Sequence, residues 1–203
     1  MTTRTPHPFV LYARSRALPA TVAALAATAL LTLWAATRPD TYVGPYQRVP
    51  LLALAPLLAS AVIGVSTHQY ARELDRTAVR RWWPLRLAHL FALTGLAAAV
   101  LALALPGHVH EFGAAAMVRN TLGATGITAV AAVLIGARLS WLPTLLYVGV
   151  AHLSYSHPKL HGATVLTWSM QPGPQRGAWA VALAVFAVGA ALYACVGPRR
   201  DRG

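Results

Sequence analysis

The chain has 203 residues, of which 57% are hydrophobic and 11% charged, about half the charge of an ordinary soluble domain. Its formal charge is +12, and every basic residue except Lys159 is an arginine. The arginines gather at the borders of long uncharged stretches, which excludes a soluble or disordered chain and is a membrane pattern, not a nucleic-acid footprint. One cysteine, Cys195, leaves no intramolecular disulfide or cysteine metal knuckle to be made.

A bilayer core of about 30 Å takes roughly 20 apolar residues as a helix. In chain order the qualifying stretches are Ala17 to Ala36, Val49 to Thr67, Leu87 to Pro106 and Gly177 to Gly197. Between Thr121 and Tyr155 the only charge is Arg138. That length suits two short spans, Thr121 to Ala137 and Leu139 to Tyr155, with a turn around Gly136, Arg138, Ser140 and Pro143. The expectation is a single transmembrane domain over residues 1–203, all-α and polytopic, with six spans.

Basic residues near span ends favour the cytoplasmic side. The N-terminal tail holds Arg4, Arg14 and Arg16, and the second loop holds Arg72, Arg76, Arg80, Arg81 and Arg86. The fourth loop holds Arg138, and the C-terminal tail Arg199, Arg200 and Arg202. These alternate compartments contain twelve of the seventeen basic residues. The other set has Arg38, Arg48, Arg119, Lys159 and Arg176. Both termini are therefore expected in the cytoplasm, with no cleaved signal peptide. Small residues on the fourth and sixth spans, Gly123 and Gly126 on one, Gly189 with Ala178 and Ala182 on the other, suit close helix packing within one subunit.

Several chemistries find no support. The only lysine lies in a His-Pro-Lys-Leu-His segment, so there is no phosphate loop and no ATP hydrolysis is expected from this chain alone. All five acids, Asp40, Glu73, Asp75, Glu111 and Asp201, lie outside the expected spans, which disfavours a self-sufficient ion-coupled carrier. Ser154, Tyr155, Ser156 and His157 have no acid near in sequence to complete a hydrolytic triad. His108, His110, His157 and His161, with His152 and Glu111, map to the outer side and are weak candidates for a zinc or copper site. His68 and His89, at inner span ends, are the one pair placed for axial haem ligation across adjacent helices; interfacial placement explains them as well.

The segment from His68 to Arg86 is the most informative. It reads as a short amphipathic cytoplasmic helix between spans two and three, stopped by Pro84. Tyr70, Leu74, Ala78 and Trp82 share one arc, and Arg72, Arg76 and Arg80 share another. Glu73 and Arg76 can pair at three residues' spacing. By itself the segment could simply enforce topology as a basic interfacial helix.

Arg72, Glu73, Asp75, Arg76 and Thr77, followed by Pro84 and Arg86, resemble the coupling-helix region of type-2 ABC exporter permeases, with Arg76 where that family often has glycine. A basic, partly apolar segment before the first span and a longer outer loop between the fifth and sixth agree with it. The resemblance implies a permease subunit in the bacterial inner membrane, forming a homodimer or pairing with a related permease. A separate ABC ATPase would dock on the cytoplasmic side and bring ATP and Mg; the permease itself would bind no cofactor. Residues 72–77 would couple the ATPase to the spans, and Phe9, Tyr12, Arg14 and Arg16 would lie on a membrane-surface helix, or in a snorkelling anchor. The competing readings are a membrane scaffold or accessory subunit that moves nothing, and a metal- or haem-binding membrane protein.

Overall fold

The computed structural model describes residues 18–37, 45–67, 83–105, 113–155 and 164–199. Among them are six helices of fifteen residues or more and no strand. They are α1 (Leu18–Thr37), α2 (Pro45–Ser66), α3 (Trp83–Leu103), α4 (Ala114–Leu134), α5 (Trp141–Tyr155) and α6 (Arg176–Val196). Between α5 and α6 lie one short helical turn, Thr164–Thr167, and a 3-10 turn, Trp168–Met170.

Four helices, α1, α3, α4 and α6, are long and apolar enough to cross a membrane, and the chain is in this respect a membrane protein. In α2 the apolar part is the shorter Leu54–Ser66. Helix α5 has 15 residues, roughly 22 Å of rise, less than a hydrocarbon core when straight.

Side chains are distributed inside out. Leu30, Leu31, Leu103, Leu146 and Leu153 are exposed, while Thr28, Thr32, Ser60, Thr94, Thr121, Thr128 and Thr144 are buried. Hydroxyls are tolerated in such an interior because each finds an acceptor nearby. Thr28 and Thr32 donate to the carbonyls of Ala24 and Thr28, Ser60 to that of Leu57, and Thr121 to that of Met117. Thr128 and Thr144 share a 2.8 Å hydrogen bond between α4 and α5. Leucine outward with threonine, glycine and alanine inward is the pattern of helices surrounded by lipid, where close backbone approach replaces a hydrophobic core.

Helix α4 is central and packs on α2, α3, α5 and α6. Its seam with α6 is built on glycine. A Cβ on Gly126 would stand 2.7 Å from the backbone of Phe186, and one on Gly189 would strike the backbone of Gly126. These two glycines, both expected at close helix contacts, therefore face each other. Gly64 plays the same part for α2 against Thr128 and Ser140. The turn from α4 to α5 passes Gly136 at φ 99°, a conformation open to glycine.

The fourth helix differs from its expected position. It starts at Ala114, not Thr121, so Arg119 sits inside the helix and not in an outer loop. The uncharged run 113–118 propagates helix as readily as the apolar residues from Thr121 onward, and the arginine is accommodated by acceptors that a sequence window does not contain.

Candidate functional site

The coupling residues Arg72, Glu73, Asp75, Arg76 and Thr77 lie outside the described residues, as do Phe9, Tyr12, Arg14, Arg16, His68, His108, His110, His157 and His161. Among the described residues no three His, Cys, Asp or Glu side chains come together as a metal site. His152 is exposed near the end of α5, and His89 is buried in α3 with Nε2 3.3 Å from Ser66 Oγ.

Two polar clusters stand at opposite ends of α4. The first is centred on Arg119, whose side chain is 0% exposed. Its Nε donates to Asn120 Oδ1 at 3.0 Å, Nη1 to the Pro172 carbonyl at 2.8 Å and Nη2 to the Gln171 carbonyl at 2.7 Å. Asn120 Nδ2 donates to the Ser169 carbonyl at 2.7 Å. Both side chains thus serve one purpose: they satisfy carbonyls of a non-helical stretch folded against the bundle. Irregular backbone in an apolar setting is stable only if it is buried in protein and its polar groups are paired.

The same stretch is gripped from the α5 side. Tyr147 stacks on Trp168 with ring centroids 5.4 Å apart, and its hydroxyl donates to Ser169 Oγ at 3.2 Å while accepting from the Ser169 N–H. The Trp168 indole fills a slot over Gly123, where a Cβ would lie 2.7 Å from two of its ring carbons. Gln171 Nε2 donates to Thr167 Oγ1, and Trp179 Nε1 donates to the Gly173 carbonyl at 2.9 Å. Residues 167–173 therefore form an insert held by α4, α5 and the start of α6. Sequence reasoning missed this insert, although two signals mark it: an Arg-Asn pair after an apolar run, and Trp-Ser-Met-Gln-Pro-Gly-Pro, whose prolines prevent a helix from continuing.

The second cluster joins helix ends at the other side of the bundle. Ser66 and His89 bring together the end of α2 and the first turns of α3, the two helices that flank residues 68–82. Arg86 Nη1 donates to the Ala194 carbonyl in the last turn of α6, with Gly197 at φ 76° packed beside the guanidinium. Arg199 Nη1 donates to the Leu134 carbonyl at the end of α4, and its N–H to that of Ala132. Helix C-termini leave carbonyls without intrahelical donors, and arginine there also opposes the helix dipole. The expected haem partner His89 and the expected topogenic residues Arg86 and Arg199 are thus parts of a clamp across α2, α3, α4 and α6.

Comparison with protein-family models, curated proteins and solved structures gives no match.

Proposed function

We propose that the chain is the membrane-spanning permease subunit of an ABC exporter, crossing the bacterial inner membrane six times with both ends in the cytoplasm. It acts as a homodimer or beside a related permease, and a separate ABC ATPase supplies the ATP and Mg chemistry. The reading starts from the acidic and basic residues Arg72 to Thr77 and from the folding of the segment between α5 and α6 against the bundle.

The observation that carries it is the joint between α2 and α3. Residues 72–77 belong to the segment that connects the two, and the adjoining helix ends are tied by Ser66 and His89, with Arg86 extending the tie to α6. A push on residues 69–83 would therefore reach three helices as one lever, which is what coupling to an ATPase requires. Short α5 fits a span completed by the inserted segment, since residues 164–170 pack on it.

A specific observation also favours the scaffold reading: the glycine seam between α4 and α6 closes that part of the interior. One experiment separates the two. Glu73→Ala with Arg76→Ala leaves Arg72, Arg80, Arg81 and Arg86 in the loop, so insertion should be normal. Reconstituted with the ATPase that co-purifies with the chain, the double variant should lose export and its stimulation of ATP turnover. Interface truncations of this kind cost on the order of 1 to 4 kcal/mol when central and desolvated. Unchanged partner binding, turnover and export would remove the coupling role, while weakened binding with no export activity in either protein would favour the scaffold.

A further inference from the structure

The grip of Arg119 is unusual in its acceptors. Its two terminal nitrogens donate in parallel to two successive carbonyl oxygens, those of Pro172 and Gln171. A carboxylate or a phosphate offers a guanidinium the same pair of oxygens, but with a negative charge on them. The guanidinium is fully buried, and no carboxylate stands near it among the described residues, because all five acids fall outside them. A buried cation held by neutral dipoles keeps a demand for an anion that those dipoles do not meet.

The held segment is built to leave as a unit. Pro172 and Pro174 contribute no N–H to any ladder, and Ser169, Gln171 and Pro172 are held through their carbonyls by side chains of α4, not by strand or helix pairing. Trp168 enters its slot over Gly123 from this segment alone and meets Tyr147 there by stacking.

We infer that residues 164–175 form a latched insert whose key is an anion. A carboxylate or phosphate group replaces the Gln171 and Pro172 carbonyls on Arg119, the segment disengages, and Trp168 withdraws from its slot. The exchange is favourable at Arg119 because hydrogen bonds to an ionised acceptor are about twice as strong as those to a neutral one. The freed carbonyls are then satisfied by water. The opening exposes a binding site lined by Gly123, Asn120 and the Tyr147 ring, with Arg119 at its end, suited to an anionic group carried on a flat apolar body. The anion can come from a free small molecule or from a phospholipid headgroup. The latch needs no partner subunit and stands apart from the permease reading.

The test uses the full chain in lipid nanodiscs, with Cys195→Ala removing the exposed native thiol and Ser169→Cys as the reporter. The readout is the rate of maleimide labelling. In phosphatidylcholine discs with chloride as the only anion, labelling should be slow. Inorganic phosphate or acetate at matched ionic strength should raise the rate about tenfold if the key is a free anion; including phosphatidylglycerol should do so if it is a headgroup. A tenfold change corresponds to about 1.4 kcal/mol. Arg119→Gln should label fast without added anion and respond to none, and Arg119→Lys, which keeps the charge and loses the fork, should also label fast. Met170→Cys provides a second reporter one residue on, and the anion series on the Arg119 protein decides the matter even where the arginine variants do not fold. Fast labelling in neutral discs, no response to either anion source, or an equal response in Arg119→Gln would each overturn the inference.

Discussion

Gly126→Ala and Gly95→Ala make the same chemical change in two different surroundings, and the structure gives them opposite signs. Both glycines lie within helices, so alanine should favour each helix by about 0.8 to 1.0 kcal/mol through backbone entropy. At Gly95, on the exposed face of α3, nothing lies within 4 Å of the added carbon, and the gain is kept. At Gly126 the carbon would stand 2.7 Å from the Phe186 N and Cα and the Val185 carbonyl carbon. Ordinary contact begins at 3.4 Å, so α4 and α6 must part by about 0.7 Å, and neither neighbour is a side chain that could swing aside. Overpacking of this kind costs roughly 1 to 3 kcal/mol, here toward the upper end because backbone must move. The net expectation is a loss of about 1 to 2 kcal/mol for Gly126→Ala against a gain of about 1 kcal/mol for Gly95→Ala. Equilibrium unfolding in dodecylmaltoside micelles titrated with sodium dodecyl sulfate, followed by far-UV circular dichroism, measures both. Equal stability of the two variants would refute the glycine seam between α4 and α6.

Arg119→Ala removes the donors to Asn120 Oδ1, Gln171 O and Pro172 O, each worth about 1 to 3 kcal/mol when left buried and unpaired; a fall in unfolding free energy of roughly 3 kcal/mol or more is expected in the same titration, with Arg119→Lys in between. Trp168→Ala should cost about 3 to 5 kcal/mol by emptying the slot over Gly123, and near-UV circular dichroism should lose the signal of the stacked Tyr147 and Trp168 pair; an unchanged spectrum would place the indole elsewhere. Thr128→Val leaves the Thr144 hydroxyl without its partner across α4 and α5, and a loss of about 1 kcal/mol is expected, with the double variant Thr128→Val and Thr144→Val recovering part of it. For topology, reporter fusions after Asp75, Arg138 and Arg200 should read cytoplasmic and those after Val43, His110 and Val165 external; an external signal at Arg138 would sink the six-span arrangement.

The helices themselves could be read from local sums. A run such as Leu18–Thr37 has no charge, and a helix that cannot hydrate its backbone must satisfy it internally, so length and hydropathy suffice to place it. Gly136 at the turn and the small residues Gly126 and Gly189 were legible for a similar reason, since each marks a place where a Cβ does not fit. That Gly126 and Gly189 meet each other is decided by tertiary packing alone. Arg119 shows the boundary most sharply. Counted along the chain, an arginine marks the end of a span, because leaving it in an apolar helix is costly. In the folded protein its cost is offset by carbonyls from Gln171 and Pro172, some fifty residues away. Hydropathy is a property of neighbours in sequence, whereas the solvation of a buried charge is set by whichever polar groups the fold delivers to it; only the tertiary structure could place Arg119 inside α4 and the segment after α5 against it.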